Sequence, residues 1–277
     1  MYTRLPLPML AVLSSAAAAC AVPAPEPGPE TSTSAATAVV IVERSTGPGD
    51  SVRGDAVVAR FVRVRQGAVD DPALRISGVA VDLPAVGACL VPSDATPAMQ
   101  GRAVELLDVG QITVGAELAL KPTVLLPRSM PDPAGVVSGV VYSSRSADVF
   151  APGARVSLRA AGGPDLVEGF GVTVTAPHDL ADVRVSSPSA SGLDISWDAT
   201  DADAHDLVYV DVLAPSPRVM IRCAAPDAGR VTVPFDSERV DEALVAVHRV
   251  HKEAFKARGI EPGEVRFDIA KVVIFRR

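Results

Sequence analysis

Short valine-rich runs, each closed within a few residues by proline, glycine or aspartate, recur along this chain from residue 39 to its C-terminal end. AVVIVER, AVVARFVRVRQ, VVSGVVYSS, GFGVTVTAP, DLVYVDVLA and EVRFDIAKVVIF are examples. β-Branched residues suit a pleated, half-buried surface, and frequent turn residues cut such a surface into short strands. These runs are too short, and too weakly periodic at 3.6 residues, to predict helices. The fold class expected is all-β. With 277 residues there is room for two modest domains. Residues 39–177 read as one antiparallel β domain. Residues 178–277 carry seven short strands, the pattern of an immunoglobulin- or fibronectin type III-like sandwich. In that second domain Trp197, with Leu193 and Ile195 on its own face, is the expected central core aromatic.

One segment reads two ways. In SERVDEALVAVHRVHKEAFKARG, the positions Val240, Leu244, Val247, His251 and Phe255 follow helical spacing, with Gly259 as a stop. The alternative is a strand through LVAVHRV, which the final strand needs as a partner; that need favours the strand.

Ahead of the β-rich region lies an apolar leader. Leu5–Ala19 is 15 residues long and contains Pro6 and Pro8. A membrane-spanning helix takes about 20 apolar residues, so residues 1–19 are expected to be a cleaved signal peptide. Ala17-Ala18-Ala19-Cys20 resembles a bacterial lipoprotein lipobox, with Ala17 where a large aliphatic residue is usual. The resemblance implies diacylglycerol on the Cys20 thiol, removal of the leader, and Cys20 as the new N-terminus. Ordinary cleavage, leaving Cys20 a free thiol, is the other reading. More than one acyl chain makes a stable anchor at about 0.8 kcal/mol per buried CH₂. Residues 20–38 are then a tether, its Pro23, Pro25, Pro27 and Pro29 favouring extended geometry and its Ser/Thr/Ala run flexible. The expected address is the bacterial cell envelope, as an outer-membrane lipoprotein.

The net charge is −7, and with Arg4 removed the balance is 25 basic against 33 acidic residues. An acidic surface without a basic, aromatic-laced cluster argues against nucleic acid as a partner. Cys89 and Cys223 remain once Cys20 is acylated, and an exported compartment permits a disulfide between them. Two buried thiols acting as small hydrophobes is the alternative.

Few residues suggest chemistry. WDATDADAHD places Asp198, Asp201, Asp203, His205 and Asp206 together, and a loop of carboxylates is a candidate Ca²⁺ site. EF-hand spacing is not met, because Asp206 stands where glycine is required and Val212 where glutamate is required. A solvated acidic loop explains the same residues. His248 and His251 share a face only on a helix, and on a strand they point to opposite faces, which disfavours zinc. No GxSxG elbow and no phosphate-binding glycine loop occurs. Arg53-Gly54-Asp55 matches the adhesion triplet of animal matrix proteins, in a stretch that also reads as a turn. No cofactor is expected.

The segments DVGQITV, VFAPGARVSLRAAGG and GFGVTVTAP look like the first domain of uncharacterised envelope lipoproteins of myxobacterial type. LDISWDA, RVMIRCAAPDAG, RVTVP and VHRVHKEAF are similar to the sandwich that follows it there. The likeness covers residues 105–277 and implies β-sandwich domains with no assigned reaction. The family's extra first-domain cysteines are missing here, where only Cys89 is present. The function expected is non-catalytic recognition, adhesion or scaffolding. The partners expected are the membrane, through acyl chains on Cys20, and an unidentified envelope protein or glycan. The alternative is an envelope hydrolase acting on glycan or peptide, which requires two carboxylates facing across a cleft at about 5–10 Å.

Overall fold

A computed structural model describes residues 36–50, 53–64, 82–92, 104–116, 121–130, 137–146, 150–189, 192–203, 206–214, 218–236 and 240–277. The leader, Cys20, nearly all of the expected tether, His205 and most of the run LRISGVAVDL lie outside these residues. The described residues contain seventeen strands and no α-helix. In chain order the first nine are β1 (Ala36–Thr46), β2 (Arg53–Val64), β3 (Cys89–Leu90), β4 (Val104–Leu106), β5 (Ile112–Ala116), β6 (Thr123–Leu125), β7 (Arg128–Ser129), β8 (Val137–Ser146) and β9 (Arg155–Ala160). The remainder are β10 (Phe170–Thr175), β11 (Arg184–Ser189), β12 (Gly192–Ser196), β13 (Leu207–Leu213), β14 (Val219–Pro226), β15 (Arg230–Pro234), β16 (Glu242–Ala257) and β17 (Ile260–Arg276).

Ten strands form one sheet in the order β3-β14-β13-β16-β17-β1-β2-β4-β8-β7. Two smaller sheets, β10-β9-β5-β6 and β11-β12-β15, supply the other layers. The three-stranded sheet and the β14-β13-β16-β17 end of the long sheet enclose Leu193, Ile195, Trp197, Val210, Val233 and Val247. Three strands facing four in this connectivity is a fibronectin type III-like sandwich. The four-stranded sheet and the central strands of the long sheet enclose a second core around Phe61, Leu107, Ile112, Tyr142, Leu158 and Phe267. Burying side chains of this size contributes roughly 1.5–3 kcal/mol each.

The boundary expected at 177/178 marks a change of core and not a change of sheet. One core draws on residues 36–176 and on 255–269, the other on residues 180–275. The β16–β17 hairpin is long enough to serve both, and Ser34–Arg277 is one compact unit. The segment that could have been helical is thus the 16-residue strand β16, paired on one side with β13 and on the other with β17. β17 pairs along nearly all of β16 and β13 along Leu244–Val250, a backbone pairing that no local helix signal foretells.

Two further departures come from long-range pairing. β1 begins at Ala36, inside the stretch read as tether, because Ala36 is buried and pairs with Ile260. The region 39–177 is not wholly antiparallel either: β1 runs parallel to β17, and β4 runs parallel to β8. At the latter pairing Gly139 has φ +119°, and a Cβ there would stand 1.9 Å from the Leu106 carbonyl oxygen. Gly139→Ala is expected to cost about 3 kcal/mol from overpacking and backbone strain together. Gly49→Ala, with φ +69° but open space around it, should cost about 1 kcal/mol. Urea unfolding of the two variants checks the difference, and equal losses would remove the steric argument. Among the described residues no helix is long and apolar enough to cross a membrane.

Candidate functional site

Between the two cores the long sheet carries a transverse row of unusual composition. In register, Val208 pairs with Arg249, Arg249 with Ile269, Ile269 with Arg44, and Arg44 with Asp55. Both arginines are 1% exposed. Arg44 holds Asp55 through two bonds of 2.9 Å, reaches Asp179 at 3.0 Å, donates to the Phe150 carbonyl and lies over the Phe150 ring. Arg249 donates to Asp227 at 2.5 Å and to the Asp198 carbonyl at 3.0 Å, while Asp227 also accepts the Trp197 indole N–H. This row is structural. It also disposes of the Arg53-Gly54-Asp55 triplet as an adhesion motif, because the Asp55 carboxylate is fully buried against Arg44 within strand β2.

The opposite face of the sheet has a different character. One row runs Tyr209–His248–Ala270–Ser45–Gly54 and the adjacent row runs Val250–Asp268–Glu43–Ala56–Arg145. Small side chains at Ser45, Gly54, Ala56 and Ala270 leave a hollow of about 440 Å³, walled by Tyr209, His248, Asp268, Glu43 and Arg145. A second hollow of about 420 Å³ adjoins it, with Tyr209 and Asp268 lining both and Leu83, Lys252 and Arg266 beyond them. The Tyr209 hydroxyl donates to Asp268 Oδ2 at 2.7 Å, and His248 Nδ1 meets Asp268 Oδ1 at 2.8 Å. The Tyr209 and His248 rings stack at 4.1 Å. Arg222, gripped by Asp211 through two 2.7 Å bonds, lies over Tyr209.

The electrostatics follow from these contacts. Burial pushes the Tyr209 hydroxyl well above the usual phenol range, and the Asp268 charge adds to it. Burial works to raise Asp268, yet the bonds from His248 and Tyr209 hold its carboxyl below the usual range. Glu43 is raised, by partial desolvation first and by the charge of Asp268 second. The cluster therefore keeps Asp268 ionised as an acceptor, with His248 Nδ1 engaged. Glu43 and Asp268 are cross-strand neighbours on one sheet, so they stand side by side and do not face each other across a cleft. Among the described residues no hydrogen bond joins Ser45 to His248, and Ser45 Oγ lies 3.7 Å from where a Gly54 Cβ would sit.

The residues singled out in the sequence go elsewhere. Asp198 accepts two bonds from Thr200, Asp201 approaches His178 at 4.0 Å, and Asp206 accepts from the Asp203 amide and meets His251. The Asp198, Asp201, Asp203 and Asp206 loop is thus not drawn around one point. Among the described residues no group of three or more His, Cys, Asp or Glu side chains is arranged to hold a metal ion. His248 and His251 sit on opposite faces of β16, as a strand dictates, the second turned toward Phe267. Cys89 and Cys223 are joined in a disulfide at the β3–β14 edge, with Cys223 buried and Cys89 exposed. Sequence reading does not find the Tyr209–His248–Asp268 cluster because its members lie on three strands; the signal for it is a histidine that shares a strand phase with Leu244, Ala246 and Val250.

His251 gives a pH prediction. Its pKa is raised, first by its hydrogen bond to Asp206 and against the effect of burial. Its contribution to stability is therefore complete below its ordinary value near 6.5 and is lost as pH rises through the higher folded value. Asp206 is held low, mainly by His251 acting against burial, so its contribution fades only under acid conditions. The stability gap between wild type and His251→Gln should shrink when urea midpoints are measured at higher pH instead of mildly acidic pH. A gap that stays constant would contradict this.

No family model matches the chain, and no curated protein matches it. Among solved structures it is similar to the crystal structure of chicken CNTN1 FN1–FN3 domains, at 10% identity and a TM-score of 0.25, over 86% of this chain and 68% of that chain.

Proposed function

We propose that this chain is an exported lipoprotein, anchored through Cys20 to a bacterial outer membrane, whose fused sandwiches serve non-catalytic recognition or adhesion. The partner class is an envelope protein or glycan, met at the hollow on the Tyr209–His248–Asp268 face of the long sheet. The observation that carries the recognition reading is the Tyr209–His248–Asp268 cluster. Partly buried polar groups cost stability unless paired, and the apolar cluster that this face carries, around Val39, Ile41 and Val62, does not include these three residues. Keeping them there, beside a floor of small residues, supports a role in contact with a ligand. The side-by-side carboxylates support binding over hydrolysis. The leader, the lipobox and the likeness to myxobacterial-type lipoproteins support the anchor.

Two experiments test the two halves. Metabolic labelling with a palmitate analogue should mark the wild-type protein and not Cys20→Ser; equal label in both overturns the anchor. A photo-crosslinking residue at Ser45 in the hollow should capture a partner in intact cells, whereas one at Thr232, on the outer face of the three-stranded sheet, should not. Equal capture at both positions, or at neither, overturns the hollow as the recognition site.

A further inference from the structure

We infer that the Cys89–Cys223 disulfide is a redox latch on a strap that closes one side of this recognition face. The strap is the segment 82–92. It belongs by sequence to the first half of the chain, yet it lies on the edge of the second sandwich, against β14. None of its residues is buried, and Val86 and Val91 are 62% and 72% exposed. It therefore adds no buried side chain to either core. Besides the two-residue strand β3, the Gly87 amide donates to the Ala224 carbonyl and the Ala224 amide donates to the Ala88 carbonyl. Arg222 Nη1 donates to the Asp82 carbonyl, from the same side chain that grips Asp211 and covers Tyr209. The disulfide is the covalent member of this set, joining residues 134 positions apart.

The position of the strap gives the latch a consequence. Leu83 forms part of the second hollow, across from Tyr209 and Asp268. When the strap leaves, that wall goes with it, and the outer edge of β14 loses its partner strand. Unpaired strand edges accept an added strand from another chain. The oxidised protein thus presents a walled hollow and a β14 edge covered at Arg222–Ala224; the reduced protein presents an open hollow and that stretch of edge uncovered.

The reductant is a dithiol. Its first thiolate attacks Sγ of Cys89, the exposed cysteine, forming a mixed disulfide; the S–S bond breaks and Cys223 leaves as a thiolate that takes a proton. The second thiol of the reductant, as a thiolate, then attacks its own sulfur in the mixed disulfide and releases Cys89 as a thiol. Two electrons pass to the cystine, and the dithiol ends as a disulfide.

The inference rests on the recognition reading for its purpose but not for its test. Hydrogen exchange of the full chain is compared oxidised and after dithiothreitol. Peptides spanning 82–92 and 219–226 are expected to exchange at least tenfold faster when reduced, while peptides of β1 and β17 stay protected. The Cys89→Ala/Cys223→Ala variant should give the same local pattern without reductant. Unchanged exchange over 82–92 overturns the latch, and so does loss of protection throughout, which would make the bond a general staple. Neither result touches the Ser45 crosslinking outcome, so the latch and the recognition site fail separately.

Discussion

Phe61→Ala is expected to lower stability by about 3–5 kcal/mol and, from a distance, to shift the unfolding transition seen by Trp197 fluorescence by that same amount. Phe61 is fully buried in the first core, where its ring meets Tyr142 at 5.9 Å and Phe170 at 5.7 Å. Trp197, the single tryptophan of the chain, belongs to the second core. No residue is shared between these two clusters, so packing alone gives no reason for one to report on the other. The reason is the sheet. β16 and β17 place Phe255 and Phe267 in the first core and Val247 and Phe275 in the second, on uninterrupted strands. Losing the first core frees half of that hairpin, and the second sandwich then lacks its central strands. Urea unfolding followed by tryptophan emission and by far-ultraviolet circular dichroism should give coincident transitions, both displaced in the variant. A Trp197 transition unmoved by Phe61→Ala would show two independent sandwiches.

Asp227→Ala should be comparably severe, at about 3–5 kcal/mol, because it breaks a buried ion pair from one side only. Arg249 and Asp227 are each 1% exposed in their side chains. Removing the carboxylate leaves the guanidinium charge in the interior and takes the acceptor from the Trp197 indole. The double variant Arg249→Met/Asp227→Asn should recover most of the loss. It removes the charge, while the asparagine oxygen still accepts from Trp197. Calorimetric melting of both variants decides this, and a double variant no better than Asp227→Ala would mean that the pair itself, beyond mutual neutralisation, holds the junction.

The strands themselves were legible because their signal is local. GFGVTVTAP, GLDISWDA and DLVYVDVLA each show turn residues bounding a β-branched run, and each is a strand in the fold. Trp197 was legible for the same reason: it shares a phase with Leu193 and Ile195, and all three lie in one core. Segment 238–258 was ambiguous because Val240, Leu244, Val247, His251 and Phe255 satisfy helical spacing by coincidence. The choice came from β13 and β17, neither of which is adjacent in sequence to the first residues of β16. The candidate site was illegible on other grounds. Its two rows draw on six strands whose residues range from Glu43 to Ala270, and only register sets them side by side.

By itself, then, the sequence determined that this chain makes strands, where they turn, and which side of each is apolar. Those are properties of consecutive residues, written in a period of two. Tertiary structure alone decided that the first strand lies parallel to the last, that one hairpin serves two cores, and that Arg44 and Arg249 fill the row between them. Backbone hydrogen bonding between strands is blind to side-chain identity. Pairing is chosen instead by the sum of buried area and satisfied charge over the whole sheet, and no segment of this chain contains that sum.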